Sequence, residues 1–149
     1  MKILVALGCL LCCTYVFADP GTCAAPTPLL SNSTVSGTTC GGEIGINMGG
    51  TIYVHPSSVF SLHLDHVNDP NKISIHGEHR EMALTASCAT APIAIGAPGL
   101  DIDGSEIPSG DYLVIVSTDP SIPATNPPTC GAFDLNILSP VTLQSFVVD

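Results

Sequence analysis

Prolines and short β-prone runs make up the last third of the chain, and this combination constrains the fold more than any other feature. Two strand-like runs, residues 112–116 and 132–137, flank a loop that contains four prolines. Proline cannot continue a helix, and the β-branched and aromatic residues of both runs suit a half-buried pleated surface. We therefore predict an antiparallel strand pair joined by a long loop.

The rest of the chain also reads as short strands separated by turns. In residues 59–67, Phe60, Leu62 and Leu64 fall on one face of a strand and His63 on the other. No apolar period of 3.6 extends beyond a turn or two, so an all-β class is the consistent one. We predict an antiparallel β-sandwich or jelly-roll-like domain.

Three segments resemble a known family. Ser109-Gly-Asp-Tyr and Cys130-Gly-Ala-Phe-Asp-Leu-Asn-Ile are similar to the closing strands of the bacterial pre-peptidase C-terminal domain, and Val35-Ser-Gly-Thr-Thr is similar to its opening strand. The resemblance covers roughly residues 33–138. It implies a compact antiparallel sandwich of the kind attached to secreted proteases, in a family in which some members bind calcium or matrix polymers.

The first residues predict a secretory signal peptide. Lys2 provides a positive charge, residues 3–16 are apolar, and small residues precede Asp19, before which we expect cleavage. We divide the chain into a signal peptide at 1–18, an extended arm at 19–34, the sandwich domain at 35–138 and an extra strand at 139–149. The mature protein should be secreted, without insertion into a membrane.

Cysteine usage predicts two disulfides. Three of the seven cysteines lie in the signal peptide, which leaves Cys23, Cys40, Cys88 and Cys130. An even number in an oxidising compartment indicates disulfide bonds. Four cysteines permit three connectivities, among which the sequence does not choose. We favour Cys23–Cys40 and Cys88–Cys130, because the first bond would link the arm to the opening strand.

Charge excludes several partners. The chain after residue 18 has thirteen acidic residues and two basic ones, Lys72 and Arg80, for a net charge of −11. Nucleic acids and anionic membranes would be repelled by this charge. The excess of acids favours solubility and mutual repulsion, with cation binding as the alternative.

Histidines provide one candidate metal site. If the turn at residues 68–71 closes a symmetric hairpin, His63 lies opposite His76, and Cβ atoms in such a pair are about 5 Å apart. Zinc or copper would suit two imidazoles, with Glu78 or Asp65 as a third ligand. The alternative is two solvated histidines, and we expect no zinc to bind.

Asp101 and Asp103 provide a second candidate, since oxygen ligands at alternate positions begin a calcium loop. The remaining ligands of such a loop are missing, and a simple Asp-Gly turn is the alternative. Calcium would therefore be a cofactor only if Asp101 and Asp103 belong to a calcium loop, which we consider the weaker of the two interpretations.

Catalytic motifs are absent from the sequence, and oxidised cysteines would be unavailable as nucleophiles. We therefore predict that the chain is not an enzyme.

Asn32 begins the one Asn-x-Ser/Thr sequon, in a proline-flanked segment that suits N-glycosylation.

Two functions remain open at the level of sequence. The first is a secreted structural glycoprotein, a self-associating subunit of a filament or surface layer that donates the strand in residues 141–148 to a neighbour. The second is a monomeric module that binds carbohydrate or a matrix polymer with or without calcium. The scarcity of aromatic residues disfavours the second.

Overall fold

The computed structural model describes residues 16–65, 72–125 and 129–138. Within these ranges the protein forms twelve short strands and a 3₁₀ turn at Gly104–Glu106. No helix in the described part is long and apolar enough to cross a membrane. The strands are β1 Val16–Ala18, β2 Thr27–Pro28, β3 Ser33–Thr38, β4 Ile46–Met48, β5 Thr51–Tyr53, β6 Ser58–Leu64, β7 Lys72–His76, β8 Arg80–Thr85, β9 Ala94–Gly96, β10 Ile102–Asp103, β11 Gly110–Thr118 and β12 Ala132–Leu138.

The strands form two five-stranded sheets and a separate hairpin. Sheet A has the order β1-β3-β12-β7-β10, sheet B has the order β2-β6-β11-β8-β9, and β4 pairs with β5. Neighbouring strands are antiparallel except for β1 beside β3 and β2 beside β6. The prediction of an all-β sandwich with two disulfides is confirmed by this architecture.

Alternation along the strands places one face of each sheet in a shared core. In β12, Phe133, Leu135 and Ile137 are buried between the sheets while Asp134 is exposed. Phe60 of sheet B meets the Phe133 ring edge to face, with ring centroids 5.9 Å apart. Such a pair adds about 0.5–1.5 kcal/mol to the burial of the two rings. The core therefore holds β6 against β12.

A second apolar cluster covers the outer face of sheet B. The β4–β5 hairpin lies over this face, and β11 is buried on both of its faces from Val114 to Thr118 as a result. A Cβ at Gly49, in the tip of the hairpin, would lie 2.8 Å from the Ala91 nitrogen, so this close approach requires glycine. The buried members of the cluster are Ile46, Met48, Tyr53, Val59, Ala83 and Ile115.

The disulfide pairing differs from the one favoured from the sequence. Cys23 is bonded to Cys88, and Cys40 is bonded to Cys130. The pairs Cys23–Cys40 and Cys88–Cys130 are therefore wrong. Cys23 and Cys88 both pack against the second apolar cluster, whereas Cys40 follows β3 and Cys130 precedes β12, which are neighbours in sheet A. Proximity in the sheets decides the pairing, and distance along the sequence does not.

Two predicted strand pairings are also wrong. β11 and β12 belong to different sheets, and so do β6 and β7. β11 has β6 and β8 on its two sides, and β12 has β3 and β7, so neither has an unpaired edge for the other. Alternation along a strand fixes which face is apolar but does not determine which strand lies alongside.

The N-terminal segments lie against both sheets. Residues of the predicted arm take part in the sandwich, since β2 pairs with β6 and Leu29 belongs to the inter-sheet core. β1 lies within the predicted signal peptide 1–18, so cleavage before Asp19, which stays a prediction, would remove it from the edge of sheet A. At the other end, the predicted extra strand at 139–149 lies outside the described residues.

The two disulfides should be strong determinants of stability. They close loops with sequence separations of 65 and 90 residues, and the loop-entropy model assigns about 4 kcal/mol to each. We expect two double variants, Cys23→Ala/Cys88→Ala and Cys40→Ala/Cys130→Ala, to be destabilised. In each, the free energy of unfolding measured in urea should be lower than in wild type by about 4 kcal/mol. Peptide mapping without reduction should recover Cys23 joined to Cys88; a peptide joining Cys23 to Cys40 would contradict the structure.

Candidate binding site at the polar end of the sandwich

At one end of the sandwich the buried residues are polar. Arg80 at the start of β8 lies opposite Thr118 at the end of β11. Ser57 Oγ donates a hydrogen bond to Ser117 Oγ at 2.9 Å. Buried hydroxyl groups are stable when they are bonded, so this end replaces apolar packing with a hydrogen-bond network. Its buried hydroxyl-bearing residues are Thr39, Ser57, Ser58, Ser117 and Thr118.

The Arg80 side chain is central to this network, and the residue is only 5% exposed. Nε donates to the Glu78 carbonyl oxygen at 2.9 Å. Nη1 donates to Thr39 Oγ1 at 3.1 Å and to Thr118 Oγ1 at 2.8 Å. A guanidinium has five N–H donors. Nε and Nη1 are therefore used, while Nη2 has no acceptor among the described residues.

The walls around the guanidinium are fixed by backbone bonds and by one disulfide. The Thr39 nitrogen donates to the Gly131 carbonyl oxygen at 3.0 Å, and the Gly131 nitrogen donates to Thr39 Oγ1 at 3.1 Å. The Cys40–Cys130 bond joins the residues that directly adjoin this pair. The segments that enclose Arg80 are consequently held together by a covalent bond as well as by hydrogen bonds.

Arg80 borders an open pocket of about 580 Å³, which we name the Arg80 pocket. A Cβ at Gly131 would lie 3.1 Å from Nη2, so the lack of a side chain at 131 leaves this nitrogen uncovered. The pocket is lined by Gly77, Glu78, His79, Arg80, Thr129, Cys130, Gly131 and Ala132.

The turn between β7 and β8 forms one rim of the Arg80 pocket. His79 has φ of 54° and Gly77 has φ of 145°. A residue other than glycine with positive φ is uncommon, and such strain concentrates at functional sites. The turn is held by a bond from the Arg80 nitrogen to the Gly77 carbonyl oxygen at 3.3 Å and by one from the Asp119 nitrogen to the His79 carbonyl oxygen at 2.9 Å.

The guanidinium has no carboxylate partner in the described part of the protein. No described carboxylate oxygen lies within 4.0 Å of it, and the nearby Glu78 carboxylate pairs with His79 Nε2 at 3.5 Å instead. Burial lowers the pKa of Arg80 below its ordinary value, and the neighbouring Glu78 acts in the opposite direction. An arginine nevertheless stays charged in a protein at neutral pH.

A second pocket of about 360 Å³ adjoins the first on the outer face of sheet A. Ser36, Asp134 and His76 form a row across β3, β12 and β7. Ser36 Oγ donates to Asp134 Oδ1 at 2.5 Å. Because the carboxylate and not the imidazole stands beside the serine, the row lacks the nucleophile–base contact of a catalytic triad.

The structure does not bring the predicted histidine ligands together. His63 lies opposite Asp111 in sheet B, and its Nδ1 shares a hydrogen bond with Asp111 Oδ1 at 2.7 Å. His76 lies in sheet A opposite Asp134. The predicted His63–His76 pair is therefore wrong, because β6 and β7 do not form a hairpin. The turn predicted between them, residues 68–71, falls outside the described residues.

The acidic candidates for calcium have other partners. Asp101 Oδ2 pairs with Lys72 Nζ at 2.8 Å. Asp103 Oδ1 accepts a bond from the Ser105 nitrogen at 2.9 Å and so begins the 3₁₀ turn. Within the described ranges, no group of three or more His, Cys, Asp or Glu side chains is placed to hold a metal ion.

Asn32 lies exposed in a turn before β3, with φ of 55°. Its glycosylation stays a prediction. The aromatic residues Tyr53, Phe60 and Phe133 are buried, and Tyr112 is half-buried with its Oη bonded to the Pro108 carbonyl oxygen at 2.7 Å. The residues that the structure describes thus offer no row of exposed aromatic rings, which is the usual platform for carbohydrate.

No family model and no curated protein sequence matches the chain. Among solved structures it is similar to PliG of Aeromonas hydrophila, a periplasmic lysozyme inhibitor of g-type lysozyme, with a TM-score of 0.50 and 13% sequence identity. The match covers 80% of this chain and 99% of that chain. At this identity the likeness shows the fold alone. The resemblance to the pre-peptidase C-terminal domain stays a prediction.

This likeness contradicts both functions predicted from the sequence. A self-associating filament subunit and a carbohydrate-binding module are overturned by a neighbour whose described partner is another protein, an enzyme. That neighbour is described as an inhibitor, and the statement that this chain is not an enzyme stays a prediction.

The protein is secreted and extracellular. Its two disulfides are of the kind that form and persist in an oxidising compartment.

Sequence reasoning missed the Arg80 pocket. One signal was available, since Arg80 is the only arginine of the chain and follows a Gly-Glu-His turn. The sequence could not show that Thr39, Thr118 and Gly131 surround it, because these contacts join residues 38 to 51 positions away.

A buried tyrosine, Tyr53, bonds to a half-buried carboxylate, Glu81, at the next position of β8. Tyr53 Oη donates a hydrogen bond to Glu81 Oε1. Burial raises the pKa of Glu81 above its ordinary value, and the bond from Tyr53 opposes this shift only in part. Burial, together with the neighbouring Glu81, also raises the pKa of Tyr53. Ionisation of Glu81 therefore destabilises the folded state.

We expect Glu81→Gln to change the pH dependence of stability. A carboxyl group with a raised pKa stabilises the folded state when it is protonated, below its unfolded pKa, and this contribution is lost as pH rises through its folded pKa. The variant should therefore gain stability relative to wild type as pH rises above about 4.3, the ordinary pKa of a glutamate, and through the raised pKa of Glu81. Urea midpoints at several pH values measure the difference, with exposed Glu106→Gln as control. A difference that is constant with pH would contradict the raised pKa.

Proposed function

We propose that the protein is a secreted inhibitor of a lysozyme-type enzyme and acts by binding that enzyme as a separate protein partner. The observation that carries the proposal is the extent of the structural match, which spans 99% of the length of a g-type lysozyme inhibitor. The whole inhibitor fold, and not a shared subdomain, therefore corresponds to 80% of this chain.

Rigidity supports this function. A protein inhibitor binds tightly when little conformational entropy is lost on association. The two disulfides, the inter-sheet core and the hairpin over sheet B all restrict the scaffold before any partner binds. The polar end, with the Cys40–Cys130 bond beside the Arg80 pocket, is a preformed surface of this kind.

Charge supports a basic partner. At −11 after the signal peptide, the protein would attract a positively charged enzyme over long distances and repel its own copies. Opposite net charges chiefly increase the association rate, so binding should weaken as salt screens the interaction.

An inhibition assay tests the proposal. The disulfide-bonded protein from Asp19 onward should slow the clearing of a bacterial cell-wall suspension by a g-type lysozyme and should form a complex with that enzyme in size-exclusion chromatography. Inhibition should weaken from low to physiological salt because the attraction is partly electrostatic. The same protein after reduction and alkylation is the control and should be inactive, since each lost disulfide costs about 4 kcal/mol.

Lysozymes of other types, assayed in parallel, define the specificity. If the folded protein neither inhibits nor binds any lysozyme at low salt, the proposed function is wrong.

A further inference from the structure

Arg80 is an unusual charge for this molecule. It is the only arginine in the sequence, it is 5% exposed, and the sequence has thirteen acidic residues. Buried arginines are nearly always paired, yet the described groups that bond to this one are two hydroxyls and a backbone carbonyl. Lys72, in contrast, pairs with Asp101 at 2.8 Å although it is more exposed. Among the described residues, the guanidinium of Arg80 thus has no carboxylate within 4.0 Å, and Glu78 acts on it only from farther away.

The part of the guanidinium that has no described acceptor is also the part that borders the Arg80 pocket. Nε and Nη1 face inward to Glu78, Thr39 and Thr118, while Nη2 lies beside the bare backbone of Gly131. A desolvated cation attracts an anion more strongly than an exposed one does, because less water screens the charge.

We propose that the Arg80 pocket binds a carboxylate that projects from a protein partner, with Nη2 as the donor. Only one nitrogen is available, so the ligand accepts from Nη2 alone and not from the two-nitrogen fork that arginine often presents. A singly charged group suits this geometry, and the net charge of −11 disfavours a dianion such as phosphate more strongly than a monoanion.

The position of Arg80 further restricts the ligand. Because the guanidinium lies in the wall of a pocket and hardly reaches the surface, it cannot enter the cleft of an enzyme. The carboxylate must be carried into the pocket by an Asp or Glu side chain on a protruding segment or by the C-terminus of a polypeptide. The identity of the partner rests on the proposed function, but the chemistry of the pocket does not.

A partner enzyme would then be recognised by two electrostatic interactions, one that acts over long distances and one that acts in direct contact. The acidic surface of this protein attracts a basic enzyme over long distances, and a single projecting acid on that enzyme fixes the position by pairing with Arg80. Such a desolvated pair contributes to specificity because an enzyme without the acid would leave the arginine unpaired.

The single arginine makes the site directly observable. In ¹⁵N-labelled disulfide-bonded protein, one arginine Nε–H signal should be present, and it belongs to Arg80. We expect sodium acetate to shift this signal in a saturable way compared with sodium chloride at equal ionic strength. Backbone amides in residues 77–79 and 129–132 should shift with it. No shift beyond that caused by chloride would overturn the proposal, and a larger shift with inorganic phosphate would overturn the carboxylate as ligand.

Two peptides then distinguish the sources of the carboxylate. One has an internal aspartate and an amidated C-terminus, and the other has no acidic side chain and a free C-terminus. The peptide that shifts the Arg80 signal at the lower concentration identifies the source. A response to neither peptide would overturn the assignment to a protein partner.

Gly131→Ala tests the site without removing the arginine. The new methyl group would lie 3.1 Å from Nη2 and should cover it, so the acetate-induced shift should be largely lost while the Arg80 signal itself remains. Ala86→Ser, an equally small change at an exposed position just beyond the far end of β8, is the matched control and should respond as wild type. An undiminished shift in folded Gly131→Ala would overturn the role of Nη2.

The inhibition assay separates this proposal from the proposed function. If acetate shifts the Arg80 signal and no lysozyme is inhibited, the site stands and the partner is a different protein. If lysozyme is inhibited equally by wild type and by Gly131→Ala, the inhibitor function stands and the assignment of the projecting carboxylate to that enzyme is overturned.

Discussion

The fold depends on the apolar residues that β11 and β12 bury at the centres of their sheets. β12 supplies Phe133, Leu135 and Ile137 to the inter-sheet core, and β11 is buried on both faces because the β4–β5 hairpin covers its outer side. Burial of apolar area is the main favourable term in folding. Both central strands are also paired on both edges, so the other strands of the two sheets are positioned relative to these two.

At the polar end of the sandwich, hydrogen bonds replace apolar burial as the interaction that fixes the structure. Arg80 and Thr118 occupy a ladder position where apolar residues would extend the core, and hydroxyl groups replace methyl groups around the guanidinium. Hydrogen bonds are directional, so this region specifies a single geometry. The Cys40–Cys130 bond holds the segments around it together. The result is a rigid pocket at the end of an otherwise apolar sandwich.

The sequence predicts the strands much better than their partners. Alternation identified β6, and runs of β-branched and aromatic residues identified β11 and β12, because both signals lie within a single strand. Pairing joins residues far apart in the sequence, and any strand with one apolar face satisfies the pattern equally well. The symmetric hairpin that would have placed His63 opposite His76 was therefore wrong, and so was the pairing of Cys23 with Cys40. The Arg80 pocket depends on the same long-range contacts.

The protein is strongly acidic, yet no carboxylate among the described residues pairs with its one arginine. This charge distribution is suited to the recognition of a partner's carboxylate. An internal ion pair would have cancelled the positive charge and closed the pocket. Hydroxyl partners instead satisfy part of the guanidinium while leaving its charge in place. The desolvation cost of the cation is met when the protein folds, so an incoming carboxylate has only its own desolvation to overcome. Preorganisation of this kind increases affinity without additional contact area, and it requires the glycine at 131 that leaves Nη2 uncovered.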